Sequence, residues 1–239
     1  MIDGDSLAVR TALVELASLP YRRAGRFAYH FARGKLRGDP VFRALLERGL
    51  LHGRAHILDL GCGQGLLTAW LRAAAHCHER GIWPRGWPAP PRARTIRGME
   101  LSAREVARAR CALGAECEVE QADIRGTAFG RADAVVLLDV LHYMSPESQR
   151  DVLERVRAAL PQHGLLLLRV GDAEGGVRFR LSRWGDQLVA LLRGRGLLRL
   201  HCRSIVEWRE LLRECHFDST AQPMSGGTFT NVLLIAHAV

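Results

Sequence analysis

Residues 56–65, HILDLGCGQG, have the composition of a ligand-binding loop. The apolar residues Ile57, Leu58 and Leu60 predict a short buried strand, and glycines at 61, 63 and 65 follow it directly. The next residues, LLTAWLRAAAHC, favour a helix. Glycine tolerates positive φ and carries no side chain, so this strand–loop–helix order predicts a backbone that closely approaches a ligand.

The spacing of the glycines separates this loop from two phosphate-binding motifs. A G-x-G-x-x-G dinucleotide loop would need a glycine where Leu66 stands, and no Gly-Lys-Ser/Thr of a P-loop follows. Asp59 precedes the first glycine by two positions. The resulting string, D-L-G-C-G-Q-G, resembles the first motif of class I S-adenosylmethionine-dependent methyltransferases.

Further segments are similar to that family in the same order. TIRGME at 95–100 predicts a second strand ending in an acid, and EVEQADI at 118–124 resembles the third motif. ADAVVLLDVLHY at 132–143 matches the fourth strand and its loop, GLLLL at 164–168 a fifth strand, and TNVLLIA at 230–236 a final antiparallel one. The resemblance, good over residues 57–171, implies an α/β fold with a doubly wound, Rossmann-like, mostly parallel seven-stranded sheet.

The resemblance implies S-adenosylmethionine as cofactor. In such proteins an acid at the position of Glu100 accepts hydrogen bonds from both ribose hydroxyls, and one at Asp123 contacts the adenine amino group, with Ile124 beside the ring. Either acid alone could be a loop residue, and Ser102 could cap the next helix. Together the acids end two strands at one sheet edge. The implied cofactor contacts are Asp59, Gly61, Cys62, Gly63, Gly65, Glu100, Leu101, Asp123, Ile124 and Asp139.

His142 is the candidate catalytic base, because it follows the fourth strand and an imidazole titrates near neutral pH. It could equally line the pocket or cap the next helix. The chain has only three tyrosines, two in the N-terminal region and one after the fourth strand. The predicted substrate contacts are these three tyrosines together with two further residues, namely Tyr21, Arg26, Tyr29, His142 and Tyr143.

Three segments extend this core. Residues 1–55 predict an N-terminal helical arm or lid, and residues 56–239 the methyltransferase core, with a lid insertion at 172–203. Residues 79–95, rich in proline and tryptophan, predict an irregular surface loop. Between Leu16 and Gly38 the arm has six basic residues and no acid, which indicates either a solvated helix face or a site for an anionic substrate or an acidic carrier protein.

Composition limits the remaining function classes. The net charge is +9, but all 34 basic residues except Lys35 are arginine, which suits a GC-rich bacterial genome. They are scattered along the chain, which argues against nucleic acid as a partner. Six cysteines without disulfide-like spacing predict a reduced, cytoplasmic chain. We expect no membrane span and no signal peptide. We also expect no metal site, since His76, Cys77 and His78 lack paired ligands elsewhere.

The favoured function is therefore methylation of a small molecule, with oxygen as the favoured acceptor atom. Two alternatives remain open from the sequence. One is methylation of nucleic acid or protein, although residues 139–142 do not form the N/D-P-P-Y/F motif of base amino-group methylation. The other is a non-catalytic member that binds the cofactor as a structural or regulatory module.

Overall fold

The computed structural model of the protein describes residues 4–115, 117–171, 201–224 and 231–239. Its strands form a seven-stranded sheet in the order β3-β2-β1-β4-β5-β7-β6. This sheet, with its helices, confirms the predicted α/β class. The chain divides into two compact units, Met1–Ile124 and Arg125–Val239, which are described in turn.

The first unit contains the predicted arm and three parallel strands. The pairing register places Leu60 beside Met99 and Glu100 beside Gln121. Its helices and strands are α1 (Gly4–Ser18), a short 3₁₀ helix (Leu19–Arg22), α2 (Arg26–Gly38), α3 (Pro40–Glu47), β1 (His56–Leu60), α4 (Leu66–Glu79), β2 (Thr95–Glu100), α5 (Ala103–Leu113) and β3 (Glu118–Gln121).

The arm packs on the glycine-loop helix through small and apolar side chains. Leu13 and Ala17 of α1, and Ala28 and Ala32 of α2, are buried, and α1 contacts both α2 and α4. Asp39 caps α3 by accepting a hydrogen bond from the Val41 N–H at 3.1 Å, with Pro40 in the first turn. The arm is therefore an integral part of the first unit.

The Cys62 side chain of the glycine loop lies so close to the middle of β2 that only glycine fits there. A Cβ atom at Gly98 would lie 2.7 Å from the Cys62 Sγ and 3.0 Å from Val119. Because Gly98 lacks that atom, the Cys62 side chain packs with Val119 and with Val106 of α5 in a buried apolar cluster. Packing thus fixes the first half of the loop against β2, β3 and α5.

The second unit contains four strands. β4 and β5 are parallel, whereas β7 is antiparallel to both β5 and β6, which confirms the predicted antiparallel final strand. β6 was not predicted. The helices and strands are β4 (Ala134–Leu138), a short 3₁₀ helix (Leu141–Tyr143), α6 (Pro146–Ala159), β5 (Leu165–Gly171), α7 (Ile205–Glu214), β6 (Phe217–Pro223) and β7 (Asn231–Ala238).

Two predicted extensions have different outcomes. Residues 80–94 contain neither helix nor strand, as expected, and are ordered by bonds such as Trp83 Nε1 to the Pro88 carbonyl at 3.1 Å. Most of the predicted lid insertion, residues 172–200, lies outside the described residues. Within the described ranges, no helix combines the length and apolar character needed to cross a bilayer.

Candidate functional site

The glycine loop folds back onto the end of β2. Its three glycines, Gly61, Gly63 and Gly65, have φ of 72°, 56° and 77°, the left-handed region that strongly favours glycine. The N–H groups of Gly61 and Cys62 both donate to the Met99 carbonyl, at 2.8 and 3.1 Å. A non-glycine residue at these positions would strain the loop, so the backbone conformation explains why all three are glycine.

Glu100 connects the loop to the following helix. Its Oε2 accepts a hydrogen bond from the Gly63 N–H at 3.1 Å, and its Oε1 accepts one from the Ser102 N–H at 2.8 Å. Ser102 also caps α5 by accepting from the Glu105 N–H. A carboxylate has about four lone-pair positions, so these two bonds are compatible with further hydroxyl donors such as a ribose diol.

Asp59 places a second carboxyl group in the same buried region. It is only 5% exposed in β1. Burial, and then the charge of Glu100, raise the pKa of Asp59 from its ordinary value of 3.8 to about 7. The first unit therefore holds two acids whose repulsion a proton or a cationic ligand would relieve.

Gln64, which the sequence analysis did not select, joins the loop to the arm. The Tyr21 hydroxyl donates to the Gln64 carbonyl at 2.8 Å, and the Gln64 Nε2 donates to the Ala28 carbonyl at 3.0 Å. Tyr21 is fully buried, and burial raises the pKa of its phenol well above the ordinary range. The structure thus gives Tyr21 an interior position that supports the loop, and its predicted substrate contact stays a prediction.

The side chain of Cys62 also faces the protein interior. It lies in the apolar cluster beneath the loop, and burial raises the pKa of its thiol. Its backbone N–H donates to Met99, and its carbonyl accepts from the Gly65 N–H at 2.9 Å. Cys62 therefore shapes the loop by packing and backbone bonds, and its predicted contact with the cofactor stays a prediction.

The remaining predicted residues of the first unit differ in exposure. Leu101, directly after Glu100, is 56% exposed, whereas Ile124 is buried and Asp123 is half-buried. Arg26 is exposed at the start of α2. Tyr29 on the same helix lies under the Arg22 guanidinium, 4.9 Å from its ring centroid, and a hydrogen bond to Arg22 lowers the pKa of the phenol.

In the second unit, Asp139 follows β4 and is bound to a buried arginine. Its φ of 60° is left-handed, which aspartate tolerates better than most residues. Arg169 on β5, 1% exposed, donates to both carboxylate oxygens, with Nε to Oδ1 at 2.8 Å. This bidentate pair neutralises a buried cation. A cofactor contact by Asp139 stays a prediction.

His142 lies in the short 3₁₀ helix after Asp139 and is 7% exposed. Its Nε2 is buried and has no hydrogen-bond partner among the described residues. Its ring is 4.2 Å from that of Tyr143, measured between centroids. Burial lowers the pKa of His142, while Asp139 raises it and Arg169 lowers it. The imidazole is therefore neutral near pH 7, the form that can accept a proton.

Metal chemistry has no candidate site in the described part of the chain. There, no group of three or more histidine, cysteine, aspartate or glutamate side chains could hold a metal ion.

The raised pKa of Asp59 makes folding stability depend on pH. The folded protein binds the Asp59 proton more tightly than the unfolded chain does. The stability that this proton contributes is therefore lost as pH rises from about 4 to about 7. We expect Asp59→Asn, which mimics the protonated form, to stabilise the protein by on the order of 2 kcal/mol more at pH 8 than at pH 5. Urea unfolding at both pH values measures this, with the exposed Asp218 changed to Asn as control. Equal effects at both pH values would contradict it.

A family model described as "Methyltransferase domain" matches residues 58–166. Two similar curated proteins are both named carboxy-S-adenosyl-L-methionine synthase. The one from Chromohalobacter salexigens is 37% identical over 129 residues, which cover 52% of this chain and 42% of the relative. The one from Vibrio atlanticus is 29% identical over 129 residues, covering 52% and 48%. The match thus spans about half the length of each relative.

Solved methyltransferase structures share the fold at low identity. Magnesium protoporphyrin IX methyltransferase from Synechocystis, solved with S-adenosylmethionine, is 18% identical, with 100% and 99% of the two chains covered and a TM-score of 0.57. Human N-acetylserotonin methyltransferase, also solved with S-adenosylmethionine, is 18% identical and has a TM-score of 0.60. The match covers 94% of this chain and 59% of that protein. The region matched by the family model runs from β1 into β5 and covers less than half of the 239 residues. The chain is therefore similar to methyltransferase domains over this region, and the solved methyltransferases share its fold.

Proposed function

We propose that this chain transfers the methyl group of S-adenosylmethionine to an oxygen atom of a small molecule. The observation that carries the proposal is the glycine loop held by the carboxylate of Glu100. In this arrangement an acid that suits a ribose diol lies at hydrogen-bond distance from the Gly63 backbone. Among the described residues, none except the two chain neighbours of Gly63 has an atom within 4 Å of the position a Cβ would occupy, so the loop is open to them on that side.

The first unit has a donor and acceptor set that fits this cofactor. Glu100 would accept the ribose hydroxyls, and Asp123 would accept the adenine amino group. The apolar side chains of Leu101 and Ile124 would contact the ring. Asp59 would supply negative charge for a ligand that carries a sulfonium and an ammonium group. When bound, the cofactor supplies an activated methyl group, and the protein must position the acceptor.

His142 would serve as the base. Its Nε2 would take the proton of the acceptor hydroxyl while the acceptor oxygen bonds to the methyl carbon and the carbon–sulfur bond breaks. Its buried Nε2, which has no hydrogen-bond partner in the described part of the chain, and its lowered pKa support this role. Such a base contributes typically about 10²- to 10⁴-fold, and positioning of the acceptor contributes more.

An anionic acceptor fits the arm. Arg22 and Arg33 both contact Tyr29, the latter at 3.4 Å from its hydroxyl, and Arg26 is exposed on the same helix. Guanidinium groups bind carboxylates in a bidentate manner. The same group would suit an acyl chain on an acidic carrier protein. We also infer a reducing, cytoplasmic setting, which the six free cysteines support.

A second candidate function is the synthesis of a carboxylated cofactor, because two curated relatives have the name carboxy-S-adenosyl-L-methionine synthase. Mass spectrometry of the cofactor after incubation with candidate acceptors distinguishes the reactions. Conversion to S-adenosylhomocysteine with a methylated acceptor supports our proposal. A cofactor that gains a carboxyl group supports the second candidate. Binding without any turnover would indicate a non-catalytic member, and methylated nucleic acid or protein would identify a macromolecular acceptor.

Glu100 provides the test of the cofactor site. We expect Glu100→Ala to weaken binding of S-adenosylhomocysteine at least tenfold, because charge-assisted hydrogen bonds contribute about 1.5 to 3 kcal/mol. Isothermal titration calorimetry measures the affinity. Glu120→Ala, at an exposed position of the neighbouring strand β3, is the matched control. Unchanged affinity in Glu100→Ala would show that the ribose binds elsewhere.

His142 provides the test of the proton transfer. With the acceptor that the mass spectrometry identifies, we expect His142→Ala to lower kcat by about 10²-fold or more and to leave the cofactor Kd nearly unchanged. In the wild type, kcat/KM should fall as pH drops through a pKa below the ordinary histidine value of 6.5, since protonation removes the base. The variant should lose this limb.

The control for that experiment is His237→Ala, an exposed histidine on β7. A His142→Ala enzyme with normal kcat and an unaltered pH profile would make His142 part of the pocket wall. Catalysis would then depend on positioning alone.

A further inference from the structure

Gln149 on α6 is a fully buried amide that the mechanism above does not use. Its Nε2 lies 3.1 Å from the carbonyl oxygen of Leu141, 3.2 Å from that of Met144 and 2.9 Å from that of His201. A primary amide has two N–H groups, so three acceptors share them. Leu141 and Met144 are the two ends of the turn that contains His142.

The oxygen of the same amide is also bound. The Gln149 Oε1 accepts a hydrogen bond from the Arg203 Nε at 2.7 Å. Because Arg203 can only donate, this bond fixes the orientation of the amide, with its nitrogen toward the carbonyl groups. The Arg203 guanidinium also lies over the ring of the buried Trp208, 5.7 Å from its centroid.

A backbone bond strengthens the same connection. The His201 N–H donates to the carbonyl oxygen of His142 itself at 2.8 Å. Residues 201–203 are thus attached to the turn both directly and through Gln149. A three-residue 3₁₀ helix has poor internal hydrogen-bond geometry, so outside bonds contribute much of what fixes its shape.

We propose that Gln149 is the positioning residue that fixes the His142 turn, residues 141–144, in its active conformation. It contacts the backbone on both sides of His142 and holds residues 201–203 against the same turn. The functional part of this proposal rests on His142 being the base. The attachment of the turn by Gln149 can be tested without any acceptor.

The test is amide hydrogen exchange on the full-length Gln149→Leu variant, which has a side chain of similar size without polar atoms. We expect the amides of His201 and Met144 to exchange about tenfold faster than in the wild type, since each loses support equivalent to roughly one hydrogen bond. The amides of β4 should keep their protection. The imidazole signals of His142 in NMR spectra should shift as well. Gln162→Leu, the same change at an exposed position, is the control.

Gln149→Glu separates the two ends of the amide and serves if the leucine variant does not fold. An ionised glutamate still accepts from Arg203 but cannot donate to the three carbonyl groups. We expect fast exchange at His201, relative to wild type at the same pH, when the carboxylate is ionised. Exchange should slow toward the wild-type rate when lower pH protonates it. Turnover should show a reduced kcat with an unchanged cofactor Kd.

Unchanged exchange at His201 and unchanged His142 signals in both variants would overturn the proposal. Equal acceleration throughout β4 would also overturn it, because that result shows a general loss of stability. A His142→Ala enzyme with full kcat would disprove the base but would leave the exchange result intact, so the two failures are distinguishable.

Discussion

The first unit depends on the hydrogen bonds that the Glu100 carboxylate accepts from the backbone on both sides. One bond reaches Gly63 in the loop after β1, and the other reaches Ser102 at the start of α5. A neutral side chain would make weaker bonds to these N–H groups, since charge-assisted bonds are about twice as strong. The same carboxylate therefore stabilises the loop, and in the proposed site it would also accept hydrogen bonds from a ligand. Its position at the end of β2 places it next to both backbone donors.

Much of this architecture could be predicted, because buried parallel strands have a strong sequence signal. β1 contains the apolar residues that predicted it and is followed by the glycine loop. β2, with the sequence TIRGME, ends in an acid and has the predicted bounds, Thr95–Glu100. β6 has no such signal, since FDSTAQP is polar and contains Pro223. An edge strand tolerates both features because only one of its sides is paired.

The site residues that prediction missed are those that act through tertiary contacts. The sequence does not indicate a role for the side-chain amides of Gln64 and Gln149. Their roles depend on carbonyl groups that the fold brings into hydrogen-bond distance. Arg169 left a clue, because an arginine within the apolar strand LLLLRVG requires a buried anion. The location of Tyr21 in the arm predicted a substrate contact, which stays a prediction. The structure adds a contact that the sequence did not indicate, because the Tyr21 hydroxyl donates to the Gln64 carbonyl inside the protein.

Burying a charged side chain is unfavourable, and the two units balance their buried charges differently. In the second unit, Asp139 and Arg169 form an ion pair without net charge, and burial keeps the nearby His142 neutral by lowering its pKa. In the first unit, Asp59 and Glu100 are both acids, and the raised pKa of Asp59 records the unfavourable energy of burying them together. A cation close to these acids would lower that energy by favouring the ionised form. The electrostatic complement of the first unit is therefore a positively charged ligand, and S-adenosylmethionine carries this charge on its sulfonium and ammonium groups.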